Sequence, residues 1–206
     1  MDIGRLQRRR NIRLVGLAAF VFMLLLSACQ PPEQARVQVQ TDLQMCLLNV
    51  TDLPVGWQIA SAPGPYDLPE RILPGRALAG VRVTFLYPEF GARAFHELLL
   101  YNDPEQAARE FARQQPGVFY RSGRITPWEE PDIVYTNRSA DRFRLACADF
   151  ETGGKYNRIC AALAQYDRFL SAFDTWISPE YMTHEQLIQA LQAIDRQMTQ
   201  CVERIQ

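Results

Sequence analysis

The stretch RFRLACADFETGGKYNRICAALAQYDRFLSAFDTWI, residues 142–177, decides the fold. It divides into three strand-like runs, Arg142 to Glu151, Lys155 to Gln165 and Phe169 to Ile177. Gly153-Gly154 supplies the first turn, a two-residue loop of the kind that favours positive φ at both positions. Tyr166-Asp167-Arg168 supplies the second. With Gly153-Gly154 as the loop, Thr152 faces Lys155 and every facing pair sums to 307. Asp149 then lies opposite Arg158, and Cys147 opposite Cys160. The pair flanking such a loop is hydrogen-bonded and the pair types alternate, so Cys147 and Cys160 form a non-hydrogen-bonded pair. Their Cα atoms are expected ~4.5 Å apart, within the reach of a disulfide. A register slip of one residue would put the two side chains on opposite faces.

Downstream, Thr183 caps a last helix, with Gln186 three residues on. Leu187, Leu191, Ile194, Met198, Cys201 and Ile205 recur in steps of four and three, the spacing of a buried helical stripe. Upstream, Gly80 to Tyr87 and Arg93 to Tyr101 read as strands around a turn at Pro88-Glu89-Phe90-Gly91. Asp103-Pro104-Glu105-Gln106 starts a helix. Ala107, Ala108, Phe111 and Ala112 face the core until Pro116-Gly117. His96 reads as a satisfied strand residue rather than a ligand.

Val118 to Arg138 is less regular and reads as loop, with Ile133-Val134-Tyr135 as a short edge strand. Its carboxylates Glu129, Glu130 and Asp132 read as a solvated face, not a calcium or catalytic site. Ala62 to Arg76, with four prolines and two glycines, is a loop long enough to be functional or mobile. Nearer the start, Thr41 caps a helix from Asp42 to about Val50. Leu43, Cys46, Leu47 and Val50 lie on its inner face, and Asp52-Leu53-Pro54 ends it. Cys46 and Cys201 sit on apolar helix faces and are expected to pair, leaving Cys147 to Cys160. The sequons at Asn49 and Asn137 read as chance. Together these elements predict an α+β domain: an antiparallel sheet of five to seven strands with helices packed on one side.

The first 28 residues differ from the rest. Arg5, Arg8, Arg9, Arg10 and Arg13 precede an unbroken apolar or glycine run, Leu14 to Leu26, in the order of a secretory leader. Leu26-Ser27-Ala28-Cys29 resembles the lipobox of bacterial lipoproteins. The resemblance implies cleavage after Ala28, lipid on Cys29, and a soluble domain held to the extracytoplasmic side of a membrane by two or more acyl chains. The domain plan is then 1–28 signal peptide, 29–40 polar lipidated tether and 41–206 a single domain. Which membrane is left open.

Removing five arginines and one aspartate from 22 basic and 23 acidic residues leaves 17 and 22, a net charge of −5. Nucleic-acid binding would want a basic patch, and none is present. Outside the cytoplasm four cysteines read as two disulfides. No C-x-x-C spacing occurs, and His96 and His184 stand far from every cysteine in sequence, so no metal site or cofactor is expected.

Asp52-Leu53-Pro54-Val55-Gly56-Trp57 is similar to a D-L-P-x-G-W segment of many extracytoplasmic bacterial lipoproteins and sensor domains. Physically it is a helix stop, a glycine turn and a Trp anchoring a first strand, Gln58 to Ala60. The overall layout resembles lipoprotein domains related to the photosystem II oxygen-evolving P protein, which implies a binding or assembly role rather than catalysis. No G-x-S-x-G, H-E-x-x-H or phosphate-cradling loop is present. Ser122, Ser139, Ser171 and Ser178 lack a nucleophile-elbow context. The expected function is a membrane-anchored module binding a small molecule or an envelope protein, and not an enzyme. An accessory subunit of an envelope complex is the alternative, with an envelope hydrolase behind it. A pocket lined by Trp57, Trp128 or Trp176 would favour the binding module.

Overall fold

The computed structural model describes residues 32–65, 77–119, 124–152 and 154–205. Among the described residues, 32–38 and 39–205 fall into separate units, and the architecture below is that of the second apart from the start of its first helix. The chain is α+β, and its described residues form one antiparallel sheet of six strands in the order β1-β2-β3-β6-β5-β4. The strands are β1 Gln58–Pro65, β2 Ala79–Tyr87, β3 Ala92–Leu100, β4 Arg142–Thr152, β5 Lys155–Tyr166 and β6 Phe169–Ile177. The helices are α1 Pro32–Gln44, α2 Pro104–Val118 and α3 His184–Arg204, with a 3₁₀ turn at Val50–Asp52.

The β4–β5–β6 meander has the expected register. Thr152 faces Lys155, Asp149 faces Arg158 and Cys147 faces Cys160. Gly154 has φ +76°, as a tight hairpin asks. Asp167, in the β5–β6 turn, is a non-glycine residue with φ +50°. Aspartate is among the side chains that enter this region most readily. Cys147 is bonded to Cys160, their Cα atoms 4.0 Å apart, and Cys46 to Cys201, at 5.6 Å. Asp149 and Arg158 also form an ion pair at 3.1 Å.

The helices do not share one side, which corrects the expected layering. α3 packs with Leu43, Cys46 and Leu47 on the face formed by Val81, Val83, Phe85, Ala162, Ala164 and Phe173. α2 packs through Ala107 and Phe111 on the opposite face, against Leu99, Ala161, Leu163 and Leu170. The cause lies in the central strands. Residues 159–164 of β5 are buried without a break, so each face carries apolar side chains that need a cover.

α3 begins as expected: Thr183 accepts from the Gln186 N–H, and the Gln186 side chain accepts from the Thr183 N–H. α2 begins at Asp103, whose carboxylate accepts from Gln106 N–H at 2.7 Å. It continues through 116–117 to Val118, past the expected stop. α1 differs more. It starts at Pro32 instead of behind Thr41, so much of the expected tether is helical, and it ends at Gln44. Proline suits a first helical position, where its missing N–H costs nothing. Cys46 therefore lies in the turn after the helix, still buried at 1% exposure.

The D-L-P-V-G-W segment does what its chemistry suggests. Asn49 and Asp52 form a capping box around the 3₁₀ turn. Gly56 has φ +102°, and a Cβ there would sit 2.6 Å from the Tyr87 ring. Trp57 is buried and donates its Nε1–H to Tyr181 O at 2.8 Å, 124 residues away in the chain. The strand it anchors runs on to Pro65, into the expected Ala62–Arg76 loop, of which residues 66–76 lie outside the described residues.

Candidate functional site

β4 forms one edge of the sheet, and its free side is covered unevenly. Ile125 N–H donates to Asp149 O at 2.8 Å, and Asp149 N–H donates to Thr126 Oγ1 at 2.8 Å. Glu129 and Cys147 exchange two main-chain hydrogen bonds, 3.0 and 2.8 Å long. Then the covering segment leaves. Pro131 has no N–H to offer, and the Ile133 N–H turns back onto Pro131 O at 2.8 Å. The edge strand expected at Ile133-Val134-Tyr135 is therefore not formed. Within Val118–Arg138, the bridges among the described residues are those of Arg124 to Phe150 and Glu129 to Cys147.

The gap this leaves is a cleft of about 350 Å³ between residues 128–135 and residues 143–146 of β4. Trp128 lines it, held edge-on by Phe119 at 5.4 Å and Phe150 at 5.6 Å. Its indole Nε1 is buried and has no hydrogen-bond partner among the described residues. Tyr135 and Phe143 form the facing wall, their rings 5.3 Å apart. Burial, and then the nearby Asp195 charge, push the Tyr135 hydroxyl up to about 12, so it stays a neutral donor and acceptor. Arg144 lies 4.3 Å over the Phe119 ring and donates to Gln115 Oε1 at 2.8 Å. Glu130 lines the cleft and is exposed, as are its sequence neighbours Glu129 and Asp132. The Cys147–Cys160 bond fastens the edge strand to β5 beside the cleft.

Of the three tryptophans named from sequence, Trp128 lines the cleft, while Trp57 and Trp176 do not. Cys29 lies outside the described residues. The two sequon asparagines serve as local caps. Asn49 Oδ1 accepts from Thr51 N–H, and Asn137 Oδ1 accepts from Ser139 and Ala140 N–H while its amide donates to Tyr166 Oη.

His96 and Ser171 meet in the core, a pairing that would suggest a nucleophile and its base. Nε2 of His96 is 2.9 Å from Ser171 Oγ, and both residues are buried. However, Leu48 N–H donates to His96 Nδ1 at 2.8 Å. That bond requires the proton on Nε2, which therefore donates to Ser171 and has no lone pair to accept the hydroxyl proton. Burial lowers the imidazole pKa to about 3, so it stays neutral. The pair is a strut tying residue 48 to the middle of the sheet.

A second, broader groove of about 650 Å³ lies where the start of α2, the β5–β6 turn and the end of α3 meet. Glu105, Asp141, Asp167 and Glu203 line it, with Tyr166 as its one aromatic residue among the described residues. Gln165 is buried there and donates to Pro104 O and Asp167 O, both at 3.0 Å, while its Oε1 has no partner among the described residues. No group of three metal-ligating side chains occurs among the described residues. No described helix is long and apolar enough to cross a membrane.

No protein-family model matches the chain, and no curated protein matches it. Among solved structures, one of an uncharacterised protein (Rv0999 ortholog) from Mycobacterium smegmatis is similar. It matches 70% of this chain and 92% of its own length, at 11% identity and a TM-score of 0.36.

Proposed function

We propose that the protein is a lipid-anchored extracytoplasmic binding module that takes its ligand in the cleft beside β4. The observation that carries this reading is the Trp128 indole. Its ring lines the cleft, and its buried Nε1–H has no acceptor among the described residues. Buried donors are normally paired, and an N–H of this kind is what a ligand oxygen can engage. Aromatic walls beside the charged Glu130 and Arg144 suit a site that both stacks and orients its ligand. The lipobox leader supports the address, and two disulfides suit an oxidising compartment. The lipid on Cys29 would hold the domain at the membrane surface.

A photo-crosslinking residue at position 134 tests the site in intact cells. Val134 is 96% exposed and lies between two residues that line the cleft. Position 55, 98% exposed and on the segment leading into β1 at the other sheet edge, is the control. Adducts from 134 but not from 55, lost on Trp128→Ala, are expected. Equal labelling from both positions, or none from 134, rejects the cleft. A Cys29→Ser variant that still fractionates with membrane as tightly as wild type rejects the anchor.

A further inference from the structure

We infer that the cleft receives an extended peptide segment bearing basic residues, which pairs with the main chain of Leu145 as an added strand. The inference rests on the cleft being the binding site and goes on to name the chemistry of the occupant.

The argument starts from strand parity. Cys147 and Asp149 direct their N–H and C=O groups away from β5, because both groups meet the covering segment instead. The β4–β5 register has no shift between 142 and 152. Period-two alternation then makes Leu145 and Phe143 turn their main-chain groups the same way, into the cleft. Neither has a hydrogen-bond partner on that side among the described residues. A donor and an acceptor at the spacing of one strand residue match the acceptor and donor of a second extended backbone. This is how β-augmentation gains affinity.

The two edges of the sheet are treated differently. The β1 edge is broken by two register irregularities and carries Pro63 and Pro65, devices that discourage pairing. The β4 edge is regular, and its cover stops at Glu129. What remains open is flanked by Trp128 and Arg144 towards the α2 face and by Tyr135 and Phe143 towards the α3 face. Alternate side chains of an inserted strand would meet these two walls. The lining supplies the charge preference: Glu130 is exposed at the cleft, between the exposed Glu129 and Asp132 in sequence, and Arg144 is already engaged with Gln115 and Phe119. A segment with basic residues at its solvent-facing ends complements that lining.

The probe is a random heptapeptide library displayed on phage and panned against the purified protein. Selected peptides are then remade synthetically, with and without N-methylation. Basic, apolar-alternating peptides should be enriched. They should slow hydrogen exchange of the Leu145 amide at least tenfold and lose at least tenfold in affinity when N-methylated at the pairing residue. Leu145→Pro removes the outward N–H without touching the β5 ladder, a substitution that edge strands accept. It should abolish binding while the Cys147–Cys160 bond still forms. Bound peptides that leave the Leu145 amide unprotected, or that bind Leu145→Pro equally, overturn the inference. So does concentration-dependent protection of Leu145 without peptide, which would mean a second copy occupies the edge. If no peptide is enriched but indole perturbs Trp128, the peptide inference falls and the binding cleft stands. If neither peptide nor indole reaches Trp128 and position 134 yields no adduct, both fall.

Discussion

Replacing His96 by Gln should remove a pH dependence that the imidazole imposes on folding. In the folded chain burial holds the ring neutral and lowers its pKa to about 3. In the unfolded chain it titrates near the ordinary ~6.5. Between these values the unfolded state binds a proton that the folded state does not, so stability is complete above pH ~6.5 and falls as the pH drops towards 3. At pH 5 the loss from this one group is about 2 kcal/mol, and over the whole window about 5 kcal/mol. That is a large share of the ~5–15 kcal/mol by which a domain is stable. Gln offers one acceptor and one donor to the same neighbours, Leu48 N–H and Ser171 Oγ, and has no proton to gain in this range. Urea unfolding at pH 8, 6 and 5, followed by tryptophan fluorescence, measures the effect. The Gln variant should start below wild type at pH 8 and converge with it by pH 5. Carboxylates titrate in both proteins, so the difference between the two curves isolates the imidazole. Parallel curves from pH 8 to 5 would refute the reasoning, because they would mean that His96 is protonated equally in both states.

Two further perturbations separate the anchors of the fold. Cys147→Ala with Cys160→Ala opens a bridge spanning 13 residues, for an expected loss of about 3 kcal/mol, and should raise hydrogen exchange at Glu129 and Cys147, where the covering segment docks; thermal unfolding and exchange read both. Gly56→Ala should destabilise by about 1–3 kcal/mol, because it combines a positive φ with a Cβ against the Tyr87 ring, and it should red-shift Trp57 emission as that ring loses its packing.

Where local chemistry decides structure, the sequence was legible. The Gly153-Gly154 loop and the cysteine spacing imply the β4–β5 register residue by residue, and the Thr183–Gln186 and Asp103–Gln106 caps mark two helix starts. The layering was not read, although a signal was present. Ile159-Cys160-Ala161-Ala162-Leu163-Ala164 and Leu98-Leu99-Leu100 are unbroken apolar runs, the mark of strands covered on both faces rather than one. The α1 start was misplaced because Thr41 offered a cap where Pro31-Pro32 offered an entry, and both are valid helix signals. The cleft had no local signal at all. It exists because Pro131 sends the chain off the β4 edge, and whether an edge stays covered is decided by tertiary packing.

One parity links the disulfide to the open edge. Cysteines on neighbouring antiparallel strands approach closest at a non-hydrogen-bonded pair. At such a pair each residue turns its N–H and C=O away from its partner strand. In an interior strand those groups meet the next strand. Among the described residues β4 has none, so bonding Cys147 to Cys160 obliges Cys147, and every second residue from it, to present its main-chain groups at the sheet edge. Residues 125–129 answer that demand at Asp149 and Cys147. At the gap the chain supplies ring faces in place of main-chain partners, from Trp128 before Pro131 and Tyr135 after it. The register that closes the bridge is therefore also the register that leaves Leu145 open to an incoming strand.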